Sequence, residues 1–205
     1  MATNYQFPIN FNSLIFEPWL RPNEKNASKK ELIVQKAACM FREKGFPATS
    51  MRDLAESVGI EAASLYNHIQ SKSEILQYII SRISDDCNKH LDELENAGLS
   101  GLQKIDSVIR FHIQMMLQKF EDYHVMINEW IHLEPQPLAD FISQRRSYVQ
   151  RLESFVSEGI AAKEIKPILP YVRGLEFWHR SQKNYTPEEL EENMVTYLIG
   201  GLKSN

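Results

Sequence analysis

The feature that most constrains this chain is a helix-start signal that recurs along it. In this signal a Ser or Thr hydroxyl accepts a hydrogen bond from the backbone N–H three residues later, and an acid or Gln at that later position reaches back to the first backbone N–H. One match is common by chance, but five matches, each followed by apolar residues at helical spacing, are not. They pair Ser28 with Glu31, Ser50 with Asp53, Ser71 with Glu74, Ser100 with Gln103, and Thr186 with Glu189. From residue 28 onward the chain is therefore predicted to be helical.

The apolar stripes between these signals predict an all-α protein of about nine helices. No alternating run long enough for a sheet follows residue 28, and no internal repeat is present. Gly45 and Gly59 are expected at helix ends, because glycine adopts left-handed backbone conformations without a steric penalty. We predict helices over residues 29–44, 51–58, 61–68, 72–96, 101–121, 124–133, 137–160, 168–182 and 187–203.

Composition adds limits on the class of protein. Of 205 residues 43% are hydrophobic and 24% are charged, which is close to the average for globular proteins and excludes a mostly disordered chain. No apolar run reaches the ~18 residues that a membrane-spanning helix requires. The two cysteines, Cys39 and Cys87, fall within predicted helices and suit buried thiols in a reducing compartment. We therefore expect a cytoplasmic protein.

Residues 1–27 differ from the rest, because aromatic residues alternate there with polar residues and prolines. Two interpretations stay open, an ordered arm that packs on the body or on a partner subunit, and a disordered tail. Charge is also uneven: residues 28–80 hold seven Lys and Arg against six Asp and Glu, and residues 81–205 hold fourteen against nineteen. This asymmetry suits a neutral-to-basic module on an acidic body, although ordinary solvated helix faces would look the same.

Residues 49–68 predict two short helices that meet at a tight turn, the helix-turn-helix unit. Its apolar positions are expected to face inward, with Ala55 small enough for the second helix to cross closely and Gly59 in the turn. The outer face then carries Arg52 and the second helix, which is small enough at its start to enter a major groove ~12 Å wide. That helix presents Ala62, Ala63, Ser64, Tyr66, Asn67 and His68, and Lys72 adds a mobile positive charge beside them.

Residues 32–76 resemble the TetR/AcrR family of transcriptional regulators. The resemblance is carried by Lys-Gly-Phe at 44–46, Thr-Ser-Met-Arg-Asp-Leu-Ala at 49–55, Gly-Ile at 59–60, Ser-Leu-Tyr-Asn-His at 64–68 and Ser-Lys-Ser-Glu at 71–74. It implies that Thr49 and Ser50 hold a phosphate at a helix N-terminus, that Arg52 reaches a guanine edge and that 62–64 approach bases. It also implies that Tyr66, His68 and Lys72 contact the DNA backbone. Two departures are Glu61, where Ser or Thr is usual, and Ile69, where Phe is usual.

Each of these residues has a structural alternative. Arg52 could pair with Glu56, which lies four residues on along the same helix face. Tyr66 could be partly buried with only its hydroxyl at the surface, and Asn67 could be a solvated helix-end residue. Ala62 and Ala63 offer only apolar contact, for instance to thymine methyl groups, so a helix-turn-helix that no longer binds DNA also stays open.

The remainder of the chain is expected to bind a ligand and to dimerise, as the resemblance implies. The candidate pocket side chains are large and apolar with a few polar members, and they comprise His112, Met115, Met116, Phe120, Met126, Glu129, Trp130, Phe141, Arg145 and Tyr148. Such a set suits a lipophilic or aromatic effector, and the resemblance implies acyl-CoA thioesters among the candidates, because some family members respond to them. The dimer interface is expected to use Leu175, Trp178, Leu190, Met194, Tyr197, Leu198 and Gly201.

An enzyme or metal protein is the rival class, because His112, His124, His132, Glu129, Glu134 and His179 are ligand-type side chains. However, the sequence contains no HExxH, no CxxC and no glycine-rich phosphate loop, and no cofactor is expected. We predict an N-terminal extension at 1–27, a DNA-binding domain at 28–73 and a ligand-binding and dimerisation domain at 74–205. The expected function is that of a homodimeric repressor that a small molecule releases from a palindromic operator.

Overall fold

The computed structural model describes residues 28–165, and this part of the chain is all-α as predicted. It contains seven α-helices and one short 3-10 helix, whereas the two further helices predicted at 168–182 and 187–203 lie outside the described residues. The helices are α1 (Lys29–Lys44), α2 (Met51–Ser57), α3 (Ala62–Leu65), α4 (Lys72–Asn96), α5 (Gly101–Gln118), α6 (Phe120–Glu129) and α7 (Pro135–Ala161), and the 3-10 helix is Trp130–His132.

The capping signals set most of the helix starts. Ser28, Ser50 and Ser100 each form both hydrogen bonds of the predicted pair. At Ser71 only the hydroxyl half forms, because the Glu74 carboxylate accepts instead from the backbone N–H of Gln70 at 2.7 Å. The fifth signal, Thr186 with Glu189, lies outside the described residues.

The largest differences from the predicted helix boundaries concern α3 and the region between α5 and α6. Helix α3 ends at Leu65 rather than at 68, and its N-cap residue Glu61 forms no side-chain cap, so the segment continues as a turn. The prediction of one helix over 101–121 was also wrong, because the backbone leaves the helical region at Lys119, with φ −126° and ψ 41°. Helix α6 therefore begins at Phe120, four residues before the predicted start at 124.

Two apolar cores meet along α4. The first core joins α1, α2, α3 and the first half of α4, up to Ile80, and it also takes in Val125, Leu133 and Phe141 from the body. The second core begins at Ile83 and holds the rest of α4 against α5, α6 and α7. Because one continuous helix belongs to both cores, it joins the helix-turn-helix end of the chain to the body.

The start of α5 and the end of α7 approach closely through two glycines. An atom placed as Cβ on Gly101 would lie 2.3 Å from the Gly159 backbone nitrogen and 2.5 Å from the Phe155 carbonyl oxygen. Real Cβ atoms do not approach backbone this closely, so only glycine permits this crossing.

The two cysteines are unpaired thiols, with Cys87 buried and Cys39 half-buried. Burial raises the pKa of the Cys87 thiol to about 12, which keeps this side chain protonated. No helix within residues 28–165 combines the length and the apolar character that crossing a bilayer requires.

Candidate functional site

The turn between α2 and α3 has the predicted geometry. Gly59 adopts φ +68°, and the Ile60 N–H donates to the Ala55 carbonyl oxygen at 3.0 Å. Leu54, Ala55 and Leu65 are buried in the first core. The short helices are thereby held in a fixed crossing, with α3 on the outside.

The outer face of this unit is exposed. Ala62, Ala63, Asn67 and His68 lie at the surface together with Arg52, Ser64 is partly exposed, and 53% of the Tyr66 side chain is accessible. Within residues 28–165, Arg52 forms no ion pair with Glu56 or with any other acid. The guanidinium is therefore not engaged by an acid of the described part of the chain.

Thr49 and Ser50 differ in their availability. The Thr49 side chain is buried, and its hydroxyl donates to the Gly45 carbonyl oxygen at 2.9 Å. The prediction that Thr49 faces a phosphate is therefore wrong for its side chain, because a hydroxyl that closes the preceding turn is turned away from solvent. Ser50 is exposed, but its hydroxyl caps α2 by accepting from the Asp53 N–H at 3.1 Å.

The Asp53 carboxylate lies beside the Ser50 cap at the start of α2. It accepts from the Lys44 ammonium group at 2.9 Å and from the Ser50 N–H, and these contacts hold its pKa below the ordinary value. A phosphate at this helix end would meet the negative charge of Asp53. The α2 N-terminus is consequently a weaker anion site than the dipole argument alone predicts.

Lys72 is not the mobile charge that the sequence predicts. Its ammonium group donates to the carbonyl oxygens of Phe46 at 2.7 Å, Thr49 at 2.7 Å and Pro47 at 3.3 Å, and it lies 4.3 Å from the centre of the Phe46 ring. An ammonium group has three protons to donate, and all three have acceptors here. Lys72 therefore fastens the loop between α1 and α2 to the first turn of α4.

We expect Lys72→Met to lower the free energy of unfolding by about 2 kcal/mol, because hydrogen bonds to charged groups contribute ~1.5–3 kcal/mol and the loop carbonyl groups lose their donor. Urea unfolding followed by circular dichroism measures the change. Lys36→Met, on the exposed face of α1, is the matched control and should change stability little. Equal stability of both variants would show that the loop does not depend on Lys72.

Phe46 connects this loop to the body. Its backbone N–H donates to the Glu129 carboxylate at 3.2 Å, its ring stacks on His132 with centroids 5.6 Å apart, and Phe41 meets its edge at 5.2 Å. Glu129 also lies 3.6 Å from the His132 ring. The end of α6 is thus attached directly to the segment that precedes α2. The sequence motif Lys-Gly-Phe at 44–46 marked this segment, but nothing in the sequence indicated its partners.

The predicted pocket residues divide between two places. His112, Met115, Met116 and Tyr148 lie in or against the second core, inside the body. There the His112 ring is within hydrogen-bond distance of two hydroxyls, Tyr123 at 3.0 Å from Nδ1 and Tyr148 at 2.7 Å from Nε2. Met126 packs against both cores. These residues retain the role of candidate pocket lining.

The other predicted pocket residues lie at the junction with the helix-turn-helix end. Phe120 faces α1, with the Arg42 guanidinium 5.5 Å from its ring centre. Trp130 and Phe141 pack with the first core, 5.8 Å apart, and the Arg145 guanidinium lies 5.5 Å from the Trp130 ring. Glu129 lies at this junction as well. Helical periodicity marks an apolar face without indicating which of the two cores that face enters, and the role of these residues in an effector pocket stays a prediction.

The predicted dimer residues, Leu175, Trp178, Leu190, Met194, Tyr197, Leu198 and Gly201, all lie outside the described residues. Within residues 28–165, no three His, Cys, Asp or Glu side chains come close enough to share a metal ion.

A glycine turn holds α3 on a three-helix core with one face exposed, and one long helix joins this core to a helical body. This arrangement defines a helix-turn-helix DNA-binding protein. Comparison with known families agrees. Residues 33–79 match the model described as bacterial regulatory proteins, tetR family, and residues 98–202 match the tetracyclin repressor-like C-terminal domain. The chain belongs to the TetR family of transcriptional regulators.

Individual relatives give the same result. The chain is 24% identical over 187 residues to the HTH-type transcriptional repressor KstR2 of Mycolicibacterium smegmatis, covering 86% of this chain and 91% of the relative. It is 26% identical over 169 residues to the negative transcriptional regulator IcaR of the Staphylococcus aureus biofilm operon icaADBC, covering 82% and 80%.

Solved structures share the fold. The ketosteroid regulator KstR2 of Mycobacterium tuberculosis superposes with a TM-score of 0.76 at 19% identity, over 87% of this chain and 96% of that one. AibR, solved in complex with isovaleryl coenzyme A and operator DNA, superposes with a TM-score of 0.67 at 22% identity, over 83% and 97%.

Proposed function

We propose that this protein is a homodimeric repressor that binds a palindromic operator and leaves it when a small apolar effector enters the body. The observation that carries the proposal is the exposed face of Arg52, Tyr66, Asn67 and His68, whose side chains are not engaged elsewhere in the described chain. One such unit makes few contacts with DNA. Two units spaced about one helical turn, ~34 Å, would read two half-sites. Binding to chromosomal DNA would take place in the cytoplasm.

The effector would act by favouring a conformation that does not fit the operator, which requires different affinities for the two conformations. The connections through α4 and through Glu129 to the Phe46 loop offer routes from body to DNA-binding end. The apolar second core favours a lipophilic or aromatic effector. The related AibR was solved with isovaleryl coenzyme A, which keeps acyl-CoA thioesters among the candidates.

Selection of bound sequences from random double-stranded DNA tests the proposal. We expect wild-type protein to enrich a palindrome, and Arg52→Ala/Tyr66→Ala to bind that palindrome at least about tenfold more weakly, since each lost contact is worth roughly 1–3 kcal/mol. Lys89→Ala/Tyr78→Ala likewise removes one cationic side chain and one tyrosine, here from the exposed surface of α4, and should bind like wild type.

The salt dependence of binding provides a second readout. Removing one cation that contacts a phosphate should reduce the slope of log affinity against log salt by about one per site, whereas removing a base contact should relax specificity at one position. No enrichment at low salt, after unfolding and refolding to remove any bound molecule, would contradict DNA binding and favour an all-helical ligand-binding protein with a vestigial helix-turn-helix.

A further inference from the structure

A polar triad lies inside the apolar body. His112 on α5 is placed between the hydroxyls of Tyr123 on α6 and Tyr148 on α7, at 3.0 Å and 2.7 Å. Three helices therefore contribute one member each to a single hydrogen-bonded group. A purely apolar core does not need such a group, and its desolvation is costly unless its hydrogen bonds are made.

The triad is uncharged at neutral pH. Burial, with a smaller contribution from His90, lowers the pKa of His112 to about 4, and burial also raises the pKa of Tyr148 far above its ordinary value. Arg151 is the cation that acts on Tyr148. Its guanidinium is already bound to Glu95 at 2.6 Å and to Asp92 at 2.7 Å. The cation that acts on Tyr148 is thus already paired with two carboxylates.

Tyr148 keeps hydrogen-bonding capacity beyond its contact with His112. A neutral imidazole has one N–H and one bare nitrogen, and a phenol hydroxyl both donates and accepts. If the Tyr148 hydroxyl donates to Nε2, its oxygen can accept a further bond. If Nε2 carries the proton, the Tyr148 O–H is directed elsewhere and can donate. In both tautomers the hydroxyl can therefore bind one more polar group.

The surroundings of the triad are apolar but not closed. Met115 and Met116 are buried in the same core, and Cys87 and Phe155 belong to it as well. His112 and Tyr148 nevertheless both retain partial accessibility. The lowered pKa of His112 shows that its surroundings are largely desolvated, although part of its surface stays accessible.

Building on the proposed function as a ligand-responsive regulator, we propose that the effector presents an uncharged oxygen, of a hydroxyl or a carbonyl group, to the Tyr148 hydroxyl inside the body. His112 positions that hydroxyl, and the methionines of α5 contact the apolar part of the effector. A thioester or ketone carbonyl belongs to this class. A free carboxylate does not, because burial of an anion without a cation is strongly unfavourable.

Three probes of equal chain length test the proposal: decan-2-one, decan-2-ol and decanoate. Each is titrated into the full chain at pH 7.5, with the rise in unfolding temperature as the readout. We expect both neutral probes to stabilise the protein and decanoate to bind about tenfold more weakly or worse, because only decanoate buries a charge.

Tyr148→Phe removes the hydroxyl and keeps the ring. We expect it to bind the neutral probes roughly fivefold more weakly, the value of one net hydrogen bond, with an unchanged affinity for the selected operator. Tyr78→Phe, at a tyrosine on the surface of α4 that is 40% exposed, is the matched control and should bind the probes like wild type. Each shift is measured from the variant's own unfolding temperature without probe, so that a change in stability does not enter the comparison.

Equal binding of decanoate and decan-2-one would overturn the proposal, as would an unchanged probe affinity in Tyr148→Phe or the absence of any shift with the neutral probes. Failure of the wild-type protein to select an operator would instead contradict the proposed regulatory function. The two results are separable because the probe titrations contain no DNA.

Discussion

Gly101→Ala is expected to lower the free energy of unfolding by about 3 kcal/mol, the upper part of the range for overpacked interiors. The added methyl group would lie within 3 Å of three backbone atoms of α7, and backbone cannot rotate aside as a side chain does. Helix propensity alone predicts the opposite sign, since Ala is favoured over Gly by about 1 kcal/mol in a helix interior. The clash is larger, so the helices must separate.

Two other glycines provide graded controls. Gly98 has φ +63° and no atom within 4 Å of an added Cβ, so Gly98→Ala should cost only backbone strain of about 1 kcal/mol. At Gly159 the nearest atom is the flexible end of Ile165, at 2.5 Å, and Gly159→Ala should fall between the other two. Urea unfolding of the three variants measures the order. A Gly101→Ala variant no less stable than Gly98→Ala would show that this crossing tolerates a methyl group.

Acidification from pH 6.5 to pH 4 is expected to destabilise the protein strongly through two histidines. Burial lowers the pKa of both His90 and His112 from 6.5 to about 4. In this window the unfolded chain binds protons that the folded chain excludes, so stability falls as the pH falls. At about 1.4 kcal/mol per pH unit, each histidine accounts for a loss on the order of 3 kcal/mol at full extent.

Urea midpoints at pH 7.5, 6.5, 5.5 and 4.5 measure this dependence. His112→Gln, which cannot bind the proton, should show a flatter profile than wild type, whereas His68→Gln, at an exposed position, should not. The lowered pKa values of Asp53 and Glu74 affect stability only below about 4.5, outside most of the window. A profile that His112→Gln leaves unchanged would mean that His112 titrates normally in the folded protein.

The sequence predicted the local features of this fold well. The starts of α1, α2, α4 and α5 followed from caps that lie within four residues of each helix, and the left-handed turn at Gly59 followed from one residue type. The break at Lys119 was not predictable, because neither proline nor glycine marks it. There the Lys119 side chain reaches Asp86 on α4 at 2.9 Å, and such a contact between distant residues leaves no pattern along the sequence.

The same distinction applies to the candidate site. Exposure of Arg52, Tyr66 and His68 follows from the helical period, and the structure has them at the surface. Lys72 and Glu129 were assigned other roles because their charge suggested a phosphate or a polar effector group. Their partners are backbone groups of the 46–49 loop, which the chain brings within reach only after α4 and α6 have packed.

Val125, Leu133 and Phe141 belong to the core beneath α1 and α2 although they lie far along the chain. A fragment that ends near residue 73 would lack three side chains that pack in that core. Residues 28–73 therefore do not form a complete folding unit on their own. A chimaera that joins a different helix-turn-helix segment to this body would therefore need complementary residues at these three positions.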